Sequence, residues 1–465
     1  MKKLTTLVFL SLLLSLFNLH IFSQPCLPEG ITFTTQEEID NFQTNYPGCT
    51  EIEGDVQING DDINSLMGLD ILTAFEGDLL IGDNTIYPYG SNPLLTNLEG
   101  FENVADIGGS LRIFGNDTLA SISGLSNLTT IGGCLQINHN YILASLTGLG
   151  NLISIGGYLS IINNAELTNI ADLGNLNSIG LESGISLWII GNNKLTGLWG
   201  LEGLTVLEGD LRICSNSILS SIEGLENLTS VEGNVRIGYF DPVFGGSGNP
   251  LLINLSGLIS LISIGGDLII ADNDVLTTLD GLENLNFIGG NLMIGRGEPG
   301  NSGGNPLLTD ISGLYNIDPA SIEGLIIIFN SSLSQCNVQS VCAYLANPTG
   351  FVQINNNAPG CNSPEQVDSI CNIVSISEIV LGNEFVISPN PNSGSVNLRF
   401  VIGEQGLVIC DLLNISGVKV KSFFNEMKKS GTHEMEIDLK NIPAGVYFCV
   451  LKTNKGIQTK KIVKL

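Results

Sequence analysis

The 465-residue sequence predicts a mainly β protein: a parallel β-solenoid of about twelve 24-residue rungs, then a small antiparallel β-sandwich. Three observations carry this expectation. The string Gly-x-Leu-x-Ile recurs up to about residue 371, most often at an interval of 24. An asparagine follows most copies at a fixed distance. From about residue 383 both features vanish, and short alternating apolar strings with lysines replace them. A period of this size marks a stack of units that bury their apolar faces only against their neighbours.

At the start, Lys2 and Lys3 precede an apolar run from Leu7 to Leu16 and a weaker one to Phe22. Residues 1–23 therefore read as a secretory signal peptide. No other stretch reaches 18 apolar residues, so no transmembrane segment is expected. An exported chain meets an oxidising compartment, where paired cysteines form disulfides. Residues 24–53 read as an N-terminal cap. Thr35-Gln36-Glu37-Glu38 is a capping-box string that opens a short helix with Ile39 and Phe42 on one side. Cys26 and Cys49 flank that helix and are expected to bridge.

The repeat begins at Gly54, Gly77, Gly109, Gly133, Gly157, Ile185, Gly209, Gly233, Gly266 and Gly290, with degenerate copies from Glu323 and Gly350. In the unit that starts at Gly266, Leu268 and Ile270 alternate and face inward, leaving Asp267 and Ile269 outward. Asn273 follows three residues after Ile270; Asn116, Asn140, Asn164, Asn192, Asn216 and Asn330 occupy the same place. A buried asparagine stack there would satisfy backbone groups at a tight corner. Leu276, Leu279, Leu282, Leu285 and Ile288 supply the remaining core. The pattern resembles leucine-rich repeats, and more closely the receptor L-domain type of right-handed β-solenoid, over roughly residues 26–371. The resemblance bears on fold and is silent on ligand; twelve rungs also exceed a single L domain. The solenoid proper is expected over 54–330, with a Cys-rich cap and last rung over 331–371 and a linker over 372–382. Cys336, Cys342, Cys361 and Cys371 bracket a short helix in that cap, with three pairings open. Cys134 and Cys214 stand singly in distant rungs and read as thiols in or beside the sheet.

Residues 383–465 read as short antiparallel strands with turn signals. Pro389-Asn390-Pro391-Asn392-Ser393-Gly394, Gly417 in a turn, the strand after Ala444-Gly445 and the basic strand ending at Leu465 resemble a type A sorting domain of the type IX (Por) secretion system. That resemblance implies a Bacteroidota-type chain whose partner is the type IX translocon. It also implies release or anchoring at the outer cell surface after the sorting domain is removed. Cys410 and Cys449 lie in two of these strands and form a further candidate pair.

Charge narrows the function. The chain carries a net −28, and residues 25–373 hold only five basic residues against 38 acidic ones. Such a surface repels nucleic acid and anionic lipid. Imidazole chemistry has little to work with: His139 is the solenoid's one histidine, expected at a surface turn, and no cofactor, metal or catalytic residue is assigned. A carboxylate-based glycan hydrolase and a structural surface spacer stand as rivals to a binding protein. The second outward column reads Gln57, Leu80, Arg112, Gln136, Ser160, Trp188, Arg212, Arg236, Ile269, Met293. It concentrates the scarce arginines, so Arg112, Tyr158, Trp188, Arg212 and Arg236 form one candidate binding strip. Three longer rungs insert residues 82–91, 238–248 and 295–304 at the same edge, each returning through Asn-Pro-Leu-Leu. Their Tyr87, Tyr89, Tyr239, Phe240 and Phe244 form the alternative. Both fit a secreted adhesion or binding protein whose ligand is a glycan or a surface protein.

Overall fold

The computed structural model describes residues 25–83, 91–238, 248–298, 301–377, 385–402, 405–414, 419–453 and 456–465. The leader expected over 1–23 lies outside them. The chain divides into two compact units between Val367 and Asp368.

In the first unit thirteen strands stack in chain order into one parallel sheet. Rungs 1 to 7 are Ile31–Phe33, Val56–Ile58, Leu79–Gly82, Leu111–Phe114, Leu135–Asn138, Leu159–Ile162 and Ile185–Ile190. Rungs 8 to 13 are Asp210–Cys214, Val235–Ile237, Leu268–Ile270, Leu292–Ile294, Leu325–Ile328 and Val352–Asn355. Motif positions pair in register: Leu135 faces Leu159 and Ile137 faces Ile161. Rung 1 was not legible as a repeat because it reads Gly-Ile-Thr-Phe, yet the same alternation places Phe33 in the core and Thr32 outside. The N-terminal cap thus contains the first rung.

Each inward Leu and Ile of the unit from Gly266 is fully buried, as are Leu276, Leu279, Leu282, Leu285 and Ile288. A second wall is made of two-residue strands, seven in one sheet and four in another. The gap falls between Ser178–Ile179 and Val206–Leu207, the strands that lead into rungs 7 and 8. Extra residues enter just after the first of these, where Glu182 bridges back to Ile185, and the main sheet carries a register shift at Ile185/Leu187. Of the two walls, only the main sheet is continuous across this joint.

The asparagines form an unbroken ladder, which Asn92, Asn249 and Asn305 join at the ends of the three insertions and Asn357 extends beyond the expected set. Asn164 is representative. Its Nδ2 donates to Ile137 O at 2.7 Å and to Asn192 Oδ1 at 3.3 Å, while its Oδ1 accepts the Asn140 backbone N–H at 3.1 Å. The residue before most ladder positions sits at a left-handed corner, with φ of 60° at His139, 56° at Asn163 and 61° at Ser215. Side-chain amides therefore supply the partners that this corner denies the backbone.

At the N-terminal end Thr35 and Glu38 make the reciprocal capping box, and Ile39 and Phe42 are buried. Cys26 and Cys49 are bridged. At the other end the helix Gln339–Ala346 buries Val341 and Tyr344. Cys336 pairs with Cys361; Cys342 and Cys371 are also disulfide-bonded. Cys134 and Cys214 are buried thiols. The helix Pro364–Ser377 occupies the first part of the interval expected as a linker. Residues 365–381 contain no Gly or Pro to end a helix.

In the second unit a three-stranded sheet packs with a four-stranded one. The first holds Val386–Ser388, Ser395–Ile402 and Gly431–Asp438; the second is ordered Lys419–Lys428, Gly406–Asn414, Gly445–Thr453, Gly456–Lys464. Both contribute to one core that includes Val396, Phe400, Val408, Cys410, Cys449 and Ile462.

Candidate ligand-binding face

Alternation along each rung sends two columns away from the core. The first, just after the motif glycine, carries Asp55, Asp78, Ser110 and Cys134 in rungs 2 to 5, then Asp210, Asn234, Asp267 and Asn291 in rungs 8 to 11. All but Cys134 and Asn291 hold the next rung by its backbone. Asp78 N donates to Asp55 Oδ1 at 2.8 Å, Ser110 N to Asp78 Oδ1 at 2.7 Å, and Asn291 N to Asp267 Oδ1 at 2.7 Å. The acids of this column are structural acceptors as well as surface charge. The signal was present in the sequence, as Asp, Asn or Ser recurring directly after the glycine, but the varying residue types hid their common role.

The second column follows the expected register rung by rung: Arg112 faces Gln136, Trp188 faces Arg212, and Arg212 faces Arg236. Its arginines are not open cations. Arg112 Nη1 lies 2.5 Å from Asp78 Oδ2, and Arg236 Nη1 lies 2.6 Å from Asp210 Oδ2. Each arginine thus reaches back to the acid of the preceding rung. Burial pushes the Asp78 carboxyl up, but the Ser110 amide and Arg112 outweigh it and leave it below the ordinary carboxylate value.

Arg212 corrects the expectation of an exposed strip. It is only 4% exposed, with its guanidinium carbon 5.7 Å from the Trp188 ring centroid. Trp188 in turn packs on an outer apolar cluster of Ile162, Ile190 and Cys214. An outward direction does not ensure solvent, because these large side chains cover one another. They sit over the joint between rungs 7 and 8, where the second wall is interrupted. Tyr158 bonds to Gln136, and its phenol is pushed up by burial and then by Cys134. The five candidates therefore fall into four separate arrangements: two ion pairs, one stack and one Tyr–Gln contact.

A groove lies at the N-terminal end of this face. Thr32, Gln57, Leu80 and Arg112 floor this groove of about 420 Å³, flanked by Glu29, Asp55 and Asp78. Of the loop-edge candidates, Tyr87, Tyr89, Tyr239, Phe240 and Phe244 lie outside the described residues. The third insertion is partly described: Arg296–Glu298 and Asn301–Gly303 form an antiparallel hairpin, tied down by Arg296 Nε at 2.8 Å from Asp272 Oδ2. His139 is half-buried at a ladder corner rather than on an open turn. Its Nε2 lies 3.0 Å from Asn163 Nδ2, and burial lowers its pKa. Among the described residues no three His, Cys, Asp or Glu side chains converge on a metal-sized site. No helix among them is long and apolar enough to cross a membrane.

Comparison with known families agrees with this architecture. The receptor L domain family matches residues 48–147 and 129–229, and the secretion system C-terminal sorting domain matches residues 386–465. No curated protein matches the chain. Both families are of non-catalytic kinds. The chain is a leucine-rich, receptor L-domain-like solenoid joined to a type IX sorting domain, and it is exported to the cell surface or beyond.

Proposed function

We propose that this is a non-enzymatic binding or adhesion protein whose ligand is an extracellular glycan or surface protein. The observation that carries the reading is the groove at rungs 1 to 4. There Thr32, Gln57, Leu80 and Arg112 present hydrogen-bonding groups around an apolar centre, one rung apart. Strand spacing sets that interval at about 4.8 Å. Parallel sheet spacing makes such a surface rigid, so little ordering is needed on binding. A glycan hydrolase fits the same groove poorly. It needs one carboxyl held protonated near neutral pH, whereas Asp78 is shifted the opposite way.

A glycan array and a surface-protein pull-down with the secreted form identify the ligand class. Gln57→Ala with Leu80→Ala should then weaken binding at least tenfold without moving the melting temperature. Unchanged binding in that variant, with loss on replacing Tyr87 and Tyr89, would assign the ligand to the loop edge instead. Unchanged binding in both would leave the spacer role as the better account.

A further inference from the structure

We propose that Cys410 and Cys449 are a disulfide-forming site of the sorting domain, closed by thiol–disulfide exchange in the oxidising compartment that the exported chain enters. The two cysteines lie on Gly406–Asn414 and Gly445–Thr453, the central strands of the four-stranded sheet. The register sets Cys410 opposite Leu451 and Leu412 opposite Cys449, so the cysteines are diagonal neighbours on the inward face. Both are fully buried, and their sulfurs are 3.3 Å apart.

The oxidant is a disulfide, either oxidised glutathione or the disulfide of a protein thiol oxidase. One cysteine thiolate attacks a sulfur of that bond and displaces its other half as a thiolate. The second cysteine thiolate then attacks the mixed disulfide and releases the remaining half. Two cysteine thiols become one disulfide, and the oxidant's disulfide becomes two thiols that take up the protons. The folded domain resists the first step. The hydrogen bond to Cys449, and then burial, push the Cys410 thiol up, so little thiolate forms and no oxidant reaches it. The bond therefore closes while the two strands are still assembling. Once made, it joins two positions separated by 39 in sequence and ties off a segment that includes Lys419–Lys428 and Gly431–Asp438.

The test uses the full chain exported to a bacterial periplasm, denatured without reductant, alkylated and mapped by peptide mass. The expected result is label on Cys134 and Cys214 only, with a cross-linked peptide joining Cys410 to Cys449. Cys26 and Cys49 serve as the internal control, because their bridge shows that the sample met an oxidant. Label on both Cys410 and Cys449 in a sample where Cys26 and Cys49 are bridged overturns the proposal. In Cys410→Ser the label should appear on Cys449; a chain in which Cys449 stays unlabelled has paired elsewhere, which also overturns it.

Discussion

The Arg212 guanidinium stacks 5.7 Å from the centroid of the Trp188 ring, one rung away, over the joint that the second wall leaves open. Replacing either residue uncovers the outer face of the main sheet at rungs 7 and 8. Trp188→Ala and Arg212→Ala are each expected to cost about 2 kcal/mol, combining lost packing with a lost cation–π contact. Arg212→Glu should cost more, since it buries a carboxylate on an acidic body. Thermal melts of the three variants check this. A melting temperature that stays at the wild-type value in Arg212→Glu would return Arg212 to the solvent-facing strip.

Asn192→Ala interrupts the ladder at its middle. It removes the acceptor for the Asn164 N–H and the donor to Ile161 O, both in the interior. Two orphaned backbone groups are expected to cost about 3 kcal/mol. The same change at Asn357, the last member, leaves Asn330 N–H and Ile327 O near the array's end, where relaxation is easier. Denaturant titration should rank Asn192→Ala as the more damaging.

Leu268→Asp should cost about 4 kcal/mol by placing an unpaired carboxylate in the core. Asp267→Leu is no neutral surface change, because Asp267 Oδ1 accepts both Asn291 N at 2.7 Å and Asn291 Nδ2 at 2.9 Å. A loss of about 1–2 kcal/mol is expected there. Equal melting temperatures for the two variants would contradict the strand register.

The sorting domain should be acid-sensitive through Asp411. Burial raises this carboxyl, but Lys419 Nζ at 2.7 Å and the donating Ser422 hydroxyl at 2.7 Å outweigh it and hold it below its ordinary value. A depressed acid stabilises the fold fully above its unfolded pKa of about 3.9, and the contribution is lost as pH falls through the folded value. Unfolding measured from about pH 6 down to about pH 3 should show this loss, and Asp411→Asn should flatten it.

Removing residues 386–465 is expected to leave a folded solenoid confined to the periplasm, because each unit has its own core. Cell fractionation decides the matter: truncated chain at the cell surface would contradict a sorting role.

Periodicity made the main sheet and the ladder legible, since Leu268, Ile270 and Asn273 recur in a spacing only a stacked strand and corner can satisfy. What spacing does not encode is cover. Nothing in the position of Arg212 distinguishes it from Arg112, yet Trp188 and its apolar neighbours enclose one and leave the other at a groove. Rung 1 was not legible because Phe33 takes the inward place without the usual letters, and Ile31 beside it is only half-buried. The structural role of Asp55, Asp78 and Asp267 was not legible because their hydrogen bonds run to backbone amides, which every residue carries.

Between rungs 7 and 8 the two walls part company: the long sheet continues and the short one stops. Hydrogen bonds between rungs run along the axis of the stack, and this joint lacks the second-wall bonds that its neighbours have. Pulled end to end, as a cell-surface tether is when its cell is dragged from a substrate, the molecule should yield first at that plane. It would separate there into two pieces, each still closed by its own cap and each still carrying an intact run of asparagines.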